Sequence, residues 1–371
     1  MKVLEVIRQG EIGGGESHLI DLVEGLIQQH IEPVVLAFTS GHMIETLLKR
    51  NIKCHVITSD RAFDSRIQKR ICGIIHSESV DIIHAHGSRA ASNVIVPAHI
   101  AGVPLVYTVH GWSFHRDQNW LTYRLRVLSE KILCHLSQKV ICVSHSNLAT
   151  GKVEFGLKNC QIIENGIDLQ RFDHQLTPQK EIRKELGFSS EDIIVALTAR
   201  ITAQKDPLTF IESIADAHNQ NKRIKGLVVG DGDLKPLITQ YINDKHWDKF
   251  IHTTPFRTDM PEILKAIDIY CLPSLWEGLS ISLLEAMAMK KAVVATPTDG
   301  TREIIRNEQN GLLVDFGNKD QLAEKFIRLA NDKELMRKLG DEAYKLIKQN
   351  FDGRHVAIEV AKIYHQLTGK A

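Results

Sequence analysis

Short runs rich in β-branched residues alternate along the whole chain with longer stretches of helical periodicity. This alternation is typical of βαβ units, in which a crossover helix joins two parallel strands. The strands predicted in the first half are Val3–Ile7, Pro33–Ala37, Cys54–Ile57, Asp81–His84, Val103–Val109, Lys139–Val143 and Cys160–Ile163. The strands predicted in the second half are Ile193–Thr198, Lys225–Val229, Ile251–Thr253, Ile269–Leu272, Ala292–Ala295 and Gly311–Val314. The chain is therefore predicted to have an α/β fold with mostly parallel, doubly wound sheets.

The length of the chain and the restart of this pattern near its middle predict two domains. A chain of 371 residues exceeds what one hydrophobic core usually holds. The segment 165–189 is polar and contains Gly166, Pro178 and Gly187, which is typical of a linker. We place the domains at residues 1–168 and 169–354, with the last helix, about 355–371, completing the first domain. Two successive Rossmann-like halves leave a crevice in which the carboxyl ends of both sheets face one ligand.

The overall charge and the cysteines exclude several classes of protein. The net charge is +1, so no chain-wide field attracts nucleic acid. The six cysteines form no CxxC pair and no metal-ligand spacing, which is typical of buried thiols in a reducing compartment. No apolar run approaches the roughly 18 residues of a membrane span, and the first residues do not form a signal peptide. A cytoplasmic protein is predicted, with peripheral contact to the inner face of the membrane left open.

The segment 273–288, PSLWEGLSISLLEAMA, carries the strongest functional signal. A predicted strand leads through a glycine turn into a helix that begins near Ser280 or Ile281. The backbone N–H groups of Leu279, Ser280 and Ile281 are expected to point at an anion, because a helix N-terminus is electropositive. Glu277 is placed to accept hydrogen bonds from sugar hydroxyls, and Glu285 is placed to reach a ribose. The alternative is that both glutamates are solvated surface residues.

Two cations follow the predicted strand 193–198, in the segment ALTARITAQKD. Arg200 and Lys205 lie at the carboxyl end of a predicted sheet, on a loop that faces the crevice. An arginine fork and a lysine point charge together neutralise a departing diphosphate. The alternative is a pair of surface cations, and the shared position at a strand end favours the functional interpretation.

Shorter motifs occur in order along nearly the whole chain, besides the two glutamates of the segment 273–288. These motifs are Gly13–Glu16, Thr108–Gly111, Ser144–Ser146, Glu164–Asp168, Arg200 with Lys205, Val229–Gly232 and Arg257–Pro261. Together they resemble the retaining glycosyltransferase family 4 (glycosyl transferases group 1), whose GT-B architecture has two Rossmann-like domains facing across a cleft. The resemblance implies an acceptor-side domain at residues 1–168 and a donor-side domain at residues 169–354.

The resemblance implies retaining transfer of a hexosyl or N-acetylhexosaminyl group from a nucleotide diphosphate sugar to a saccharide or lipid-linked acceptor. Synthesis of surface polysaccharide or another glycoconjugate is the expected context. The implied catalytic residues are His110, Arg200, Lys205 and Glu277, of which His110 contacts the donor sugar. The implied donor-binding residues are Gly13, Gly14, Gly278, Leu279, Ser280, Ile281 and Glu285. No cofactor and no metal ion are expected.

The sequence departs from the family pattern at three places after the glutamate motif. The family often has Gly and Pro where this chain has Lys290 and Ala292, and a Gly-Gly pair where this chain has Asp299 and Gly300. The first two differences are expected to affect packing only. The third difference bears on the shape of a loop near the expected donor site.

Other functions remain open from the residues alone. A nucleotide-sugar epimerase or a sugar phosphorylase with the GT-B fold would use the same architecture, as would a non-catalytic nucleotide-sugar-binding protein. A dehydrogenase is disfavoured, because a dinucleotide fingerprint starting at Gly13 lacks glycine at His18 and no acidic residue closes the strand 33–37. Asp231 and Asp233 imitate a metal-binding pair, but turn chemistry explains them.

Two further groups of residues have more than one interpretation. His84 ends the predicted strand Asp81–His84 and His86 follows it closely, where the two either line the acceptor side or are core histidines. The segment 112–131 combines aromatic residues with Arg116, Arg124, Arg126 and Lys131, and it either covers the acceptor or touches a membrane that carries a lipid-linked acceptor. We favour a plain amphipathic helix packed on the first domain for this segment.

Overall fold

The computed structural model describes residues 1–11, 13–115, 118–177 and 181–370, which form two compact units. Unit 1 comprises Met1–Gly166 together with Gly353–Ala371, and unit 2 comprises Ile167–Asp352. The chain therefore returns to unit 1 for its last helix. Arg116, Pro178 and Ala371, which belong to the sequence-based expectations, lie outside the described residues.

Unit 1 contains a seven-stranded sheet whose neighbouring strands pair in parallel. Its strands are β1 (Lys2–Ile7), β2 (Glu32–Ala37), β3 (Lys53–Val56), β4 (Ile82–His86), β5 (Leu105–Val109), β6 (Lys139–Cys142) and β7 (Cys160–Ile162). Their order in the sheet is β3-β2-β1-β4-β5-β6-β7. The first six helices of this unit are α1 (Gly14–Gln28), α2 (His42–Lys49), α3 (Gln68–Ser77), α4 (Ser88–Ala101), α5 (Trp120–Leu136) and α6 (His145–Phe155).

The central strands of this sheet are buried along their length, which explains their continuous apolar sequences. Every residue of β5 (LVYTV) is buried, and β2 is buried apart from its first residue. Strands covered on both faces lack the polar alternation of a half-exposed strand. The sequence of β4, IIHAH, differs because it brings His84 and His86 into this interior. Buried polar side chains require partners, so these histidines indicate a network inside unit 1.

Unit 2 repeats this design with a six-stranded parallel sheet. Its strands are β8 (Ile193–Thr198), β9 (Ile224–Val229), β10 (Ile251–Thr254), β11 (Ile269–Leu272), β12 (Ala292–Ala295) and β13 (Leu312–Leu313). Their order is β10-β9-β8-β11-β12-β13. The helices are α7 (Ile182–Glu185), α8 (Pro207–Gln220), α9 (Lys235–Asp244), α10 (Met260–Ala266), α11 (Ile281–Ala288), α12 (Asp299–Ile304), α13 (Lys319–Asn331) and α14 (Lys333–Asn350).

The strand order of each sheet reverses beside its first strand, as in Rossmann folds. The reversal lies between β1 and β4 in unit 1 and between β8 and β11 in unit 2. Loops that leave the carboxyl ends of two such strands diverge, and ligands of open α/β sheets bind in the crevice between them. The predicted α/β class with two parallel, Rossmann-like sheets is confirmed. A site is expected at this position in each unit.

Helix α5 packs on unit 1, as the favoured interpretation predicted, and it also presents an apolar stripe to solvent. Its buried face carries Val127, Glu130, Leu133 and Cys134. The exposed stripe, spaced so that it lies on one helical face, consists of Leu121 (60% exposed), Leu125 (58%), Leu128 (53%), Ile132 (42%) and Leu136 (38%). Among the described residues, none of the helices has the length and apolar character of a membrane span.

The last helix, α15 (Gly353–Thr368), packs against α1 at a glycine. A Cβ atom at Gly25 would lie 2.4 Å from the Cβ of Ala357, a separation that packed side chains do not reach. Glycine at this position therefore lets the two helix backbones approach closely. This contact also fixes α15, which carries Tyr364 into the interior of unit 1.

The close approach of α1 and α15 leads to a prediction for Gly25→Ala. We expect the free energy of unfolding to fall by about 1–3 kcal/mol, because the added methyl group overpacks the contact. Gly73→Ala is the matched control, since Gly73 lies within α3 and a Cβ there meets nothing within 4 Å. The control is expected to gain about 0.5–1 kcal/mol, as alanine in place of an exposed helical glycine does. Denaturant unfolding of both variants measures the difference, and equal stabilities would contradict the close helix contact.

Candidate active site

The loops after β8 and β11 are joined to each other at the point of strand reversal in unit 2. A 3₁₀ turn, Ala203–Lys205, follows β8, and residues 273–280 connect β11 to α11. The backbone N–H of Leu275 donates to the carbonyl of Gln204 at 2.8 Å. The side-chain amide of Gln204 donates to the carbonyl of Trp276, also at 2.8 Å. These bonds fix the loop that carries the predicted cations against the loop that carries the predicted glutamate.

Lys205 and Glu277, both predicted catalytic residues, form an ion pair between these two loops. Their side chains are only 14% and 9% exposed, respectively. The Nε2 of Gln204 lies 3.4 Å from the other carboxylate oxygen of Glu277. A pair with so little water around it is screened much less than a surface pair. The carboxylate of Glu277 is therefore oriented by Lys205, directly before the turn at Gly278.

The glycine turn before α11 lies against the backbone of the first turn of α12. A Cβ atom at Gly300 would lie 1.8 Å from the carbonyl oxygen of Gly278 and 2.8 Å from the Cα of Leu279. Only glycine permits this backbone approach. The departure from the family pattern at Asp299 leaves the required glycine in place, one residue later.

Arg200 lies on the loop after β8, which packs tightly against the loop after β9. A Cβ atom at Gly230 would lie 1.9 Å from the carbonyl oxygen of Ala199, and one at Gly232 would lie 2.3 Å from that of Ile201. The backbone on both sides of Arg200 is thereby fixed. Arg200 and the ion pair consequently belong to the same edge of the same sheet.

Helix α11 begins directly after the turn, with Ser280 as its N-cap residue. The side chain of Ser280 makes no capping bond to the helix, and its Oγ lies 3.2 Å from the Oγ of Ser282. Leu279, Ser280 and Ile281 are all buried. The N-terminus of α11 therefore lies at the sheet edge, where its electropositive end favours an anion.

Glu277 and Glu285 lie on opposite sides of the turn but act on the same buried tyrosine. Glu285 is buried one turn into α11. Burial raises the pKa of Tyr270 on β11, and the charges of Glu285 and Glu277 raise it further. Both predicted carboxylates thus act electrostatically on the same residue of β11.

In unit 1, His110 lies directly after β5 and is bonded to the last residue of β4. The Nε2 of His110 lies 3.1 Å from the Nδ1 of His86. Gly13 is the N-cap of α1, with extended backbone, and Gly14 is the first residue of that helix. His18, on the following turn of α1, has its ring centre 5.0 Å from that of His110. The predicted glycine loop and the predicted catalytic histidine therefore lie in one region of unit 1, and their roles stay predictions.

Glu5, which no motif singled out, is the centre of a buried network behind His110. Its Oε2 lies 2.8 Å from the Nε2 of His86 and 3.3 Å from the Nδ1 of His84. The hydroxyl of Tyr364 donates to its Oε1 at 2.7 Å. His84 and His86 are core histidines that hold this carboxylate, so the interpretation that they line the acceptor side is wrong.

The network fixes the charges of its members at neutral pH. Burial raises the pKa of Glu5, but His84 and His86 outweigh it and hold the pKa well below its usual range. Burial lowers the pKa of His86 to about 4, with a further contribution from His84. Burial and the neighbouring histidines lower the pKa of His18 to about 3 and that of His110 well below its usual range. Glu5 is therefore ionised, and the imidazoles of residues 18, 86 and 110 are neutral.

Two overlapping groups of side chains in unit 1 have the spacing of metal ligands. Nitrogens of His18, His86 and His110 lie within 4.8 Å of one another, and so do the ligand atoms of Glu5, His84 and His86. Neutral imidazoles are the form that binds a transition metal. The sequence gives no motif for either group because the residues come from separate segments. Both nitrogens of His86 already have partners, Glu5 on one side and His110 on the other.

Sequence reasoning missed four residues of these sites, and two of them had a recognisable signal. Gln204 belongs to the same segment as the predicted cations, so it was a candidate by position. Glu5 is a carboxylate within the buried part of β1, VLEVI, whose other residues are apolar, and an ionised residue is rare there unless it is paired. His18 and Tyr364 gave no signal, since their partners are distant in sequence.

Both halves of the chain match models of known glycosyltransferase families. The model described as Glycosyltransferase Family 4 matches residues 12–171, and the model described as Glycosyl transferases group 1 matches residues 178–346. Together with the two parallel Rossmann-like sheets, these matches define a glycosyltransferase of the GT-B fold. The chain belongs to glycosyltransferase family 4, the group 1 glycosyl transferases, as the sequence motifs indicated.

Two characterised relatives act on lipid-linked saccharides, according to their names. The chain is 29% identical over 276 residues to the UDP-Gal:alpha-D-GlcNAc-diphosphoundecaprenol alpha-1,3-galactosyltransferase of Escherichia coli, covering 71% of this chain and 69% of that protein. It is 28% identical over 308 residues to the N,N'-diacetylbacillosaminyl-diphospho-undecaprenol alpha-1,3-N-acetylgalactosaminyltransferase of Campylobacter jejuni, covering 79% of each. The two relatives transfer different sugars, so similarity to them does not fix the sugar.

Solved structures support the same fold over the full length of the chain. The Anabaena protein HepE, in complex with UDP and glucose, superposes with a TM-score of 0.87 and 22% identity, covering 99% of this chain and 100% of that one. WaaG, a glycosyltransferase involved in lipopolysaccharide biosynthesis, superposes with a TM-score of 0.77 and 16% identity, covering 99% of this chain and 100% of that one.

The ion pair between Lys205 and Glu277 leads to a prediction that a double-mutant cycle tests. In the cycle formed by Lys205→Met and Glu277→Gln, we expect a coupling free energy of about 0.5–3 kcal/mol, because the partners touch and are shielded from water. The control cycle uses Lys345→Met and Glu342→Gln, an exposed pair on α14 of the same unit. Its coupling is expected to be about 0.2–0.5 kcal/mol. Equal coupling in the two cycles, measured by denaturant unfolding, would show that the first pair does not orient Glu277.

Proposed function

We propose that the protein transfers a sugar from a UDP-linked donor to a lipid-diphosphate-linked saccharide with retention of anomeric configuration. The family establishes glycosyl transfer. The name of the Escherichia coli relative supports the donor nucleotide, and the names of the Escherichia coli and Campylobacter jejuni relatives both support a lipid-linked acceptor. The observation that carries the proposal is the convergence of Arg200, Lys205, Glu277 and the N-terminus of α11 at one sheet edge of unit 2. A hexose or an N-acetylhexosamine is the sugar that we propose.

The positive groups of unit 2 suit the charge that develops on the departing diphosphate. The bond between the anomeric carbon and the phosphate oxygen breaks, and the acceptor oxygen forms its new bond on the same face of the sugar. The proton of the acceptor hydroxyl passes to the departing diphosphate. Arg200, Lys205 and the first amides of α11 stabilise the negative charge as it grows, because they are fixed before the reaction begins. With this charge balanced by the protein, we propose that the reaction requires neither a metal ion nor another cofactor.

Glu277 and Glu285 are proposed to orient the donor rather than to attack it. Glu277 is held by Lys205 and keeps lone pairs with which to accept hydrogen bonds from sugar hydroxyls. Glu285 is assigned to the ribose and His110 to the donor sugar. Because its charge is shared with an ammonium group, the carboxylate of Glu277 is a poor nucleophile, and we propose no covalent intermediate.

An anionic membrane surface is the partner that we propose for the apolar stripe of α5. The exposed cations Arg124, Arg126 and Lys131 lie on the same helix, and the only acidic residue of α5, Glu130, is buried against Tyr107. An amphipathic helix with exposed leucines and cations binds in the interface of a bilayer, and anionic headgroups attract its charges. Docking of this kind would bring the protein to the surface that holds a lipid-linked acceptor, at the cytoplasmic side.

The donor assignment leads to a prediction for a panel of UDP-, GDP- and ADP-sugars. We expect a UDP-sugar to raise the melting temperature and to release UDP with EDTA present, because side chains neutralise the diphosphate. Arg200→Ala is expected to lower the turnover number by roughly 100- to 1000-fold. Arg306→Ala, at an exposed arginine of the same unit, is the control and is expected to keep full turnover. Loss of turnover with EDTA would refute metal independence, and phosphorolysis by inorganic phosphate would favour the phosphorylase alternative.

The membrane proposal leads to a prediction for the double variant Leu125→Glu and Leu128→Glu. We expect it to lose flotation with vesicles that contain phosphatidylglycerol while keeping its melting temperature, because both side chains are already exposed. The control is Leu237→Glu, a 51% exposed leucine of α9 in unit 2, which is expected to float as the unmodified protein does. Binding to anionic vesicles should weaken as salt rises. Flotation that survives the double variant would exclude α5 as the docking surface.

A further inference from the structure

The hydrogen bond between His86 and His110 is straight. The two ring centres are 5.4 Å apart and the ring planes are 21° from parallel. The Nδ1 of His86 and the Nε2 of His110 are 3.1 Å apart. The ring centres are farther apart than the nitrogens by about one imidazole ring width, which is half a ring width on each side. The two nitrogens therefore point at each other along the line that joins the ring centres, which is the favoured geometry of an N–H···N hydrogen bond.

A metal ion between these two nitrogens would need a different arrangement. Zinc lies about 2.0–2.1 Å from an imidazole nitrogen, so a cation on this line would require about 4 Å between the nitrogens. The observed 3.1 Å is too short for that and is an ordinary hydrogen-bond distance. One of the two nitrogens therefore carries the proton and the other accepts it.

The ionised carboxylate of Glu5 decides which nitrogen carries the proton. An ionised carboxylate only accepts hydrogen bonds, so the Nε2 of His86 must carry its hydrogen toward Glu5, 2.8 Å away. In a neutral imidazole the other nitrogen is then a bare acceptor. The Nδ1 of His86 thus accepts, and the Nε2 of His110 must donate. The remaining nitrogen of His110, Nδ1, is left as a hydrogen-bond acceptor.

We propose that Glu5 and His86 are positioning residues that hold His110 in the tautomer with hydrogen on Nε2 and a bare Nδ1. The Nδ1 of His110 then accepts a hydrogen bond from the donor sugar, so His110 selects a sugar that presents a hydroxyl group to it. Glu5 and His86 are buried, whereas His110 is partly exposed, so the two positioning residues act only through His110. Tyr364 supports this series of hydrogen bonds at its far end, where its hydroxyl donates to the second carboxylate oxygen of Glu5. The consequence for sugar binding rests on the proposed contact of His110 with the donor.

The experiment is ¹⁵N NMR of the histidine side chains in the full chain, with Glu5→Gln as the principal variant. The spectrum of His110→Asn identifies the signals of His110. In the unmodified protein we expect His110 protonated on Nε2 alone. In Glu5→Gln we expect both tautomers, because an amide both donates and accepts and so imposes neither state on His86. The turnover number with the UDP-sugar is expected to fall in proportion to the share of molecules in which His110 has the other tautomer, because that tautomer lacks the hydrogen-bond acceptor at Nδ1.

A second variant and a matched control separate positioning from packing. His86→Asn cuts the link to Glu5 and offers His110 an amide instead, so it is expected to give the same mixture of tautomers. Glu78→Gln makes the same chemical change at another buried carboxylate of unit 1, which lies 2.9 Å from a nitrogen of His55. It is expected to leave the His110 tautomer and the turnover number unchanged.

The outcomes distinguish this inference from the proposed function. If His110 keeps the single Nε2 tautomer in both Glu5→Gln and His86→Asn, the inference is wrong, whatever the stability of the variants. A bare Nε2 in the unmodified protein would overturn it as well. The NMR result does not depend on turnover, so a failure of the UDP-sugar assignment leaves the tautomer test intact.

Discussion

Backbone contact between loops at the carboxyl ends of the strands is the constraint on which the candidate site of unit 2 depends. Parallel strands deliver all their outgoing loops to one edge, where neighbouring loops must pack against each other. Glycines at 230, 232 and 300 make this possible, since a Cβ atom at each of them would meet a carbonyl oxygen at 2.3 Å or less. The positions of the cations and the glutamate follow from this packing, because it fixes the backbone of the loops that carry them.

Much of the fold could be predicted from the sequence, because it depends on local patterns. The strand bounds follow from β-branched runs, and the glycine turn with its helix follows from capping and turn chemistry. The outward face of α5 could not be predicted, since leucines occur on both faces of that helix and periodicity does not say which face meets the core. Lys290 is another case: its φ of +56° after α11 explains why relatives often have glycine there.

The candidate sites could be predicted in part, and the limit was sequence distance. Arg200, Lys205 and Glu277 each belong to a local motif that marks a strand end, so they were found singly. The ion pair of Lys205 with Glu277 joins residues 72 apart, and the hydrogen bond from Tyr364 to Glu5 joins residues 359 apart. No local pattern encodes such pairs. A charged residue within an apolar strand says only that a partner exists somewhere in the fold.

Glu277 and Glu5, two carboxylates with little exposure to water, solve the same physical problem in different ways. An ionised group out of water is strongly destabilising unless it is paired and hydrogen-bonded. Glu277 is paired with one fixed cation at a sheet edge, so part of its hydrogen-bonding capacity remains for a ligand. This pairing also means that the positive charge of Lys205 is already partly neutralised, so under the proposed function the diphosphate of the donor would not depend on Lys205 alone. Glu5 is instead surrounded by His84, His86 and Tyr364, so it has no capacity left for a ligand, and any influence on one must pass through its histidines.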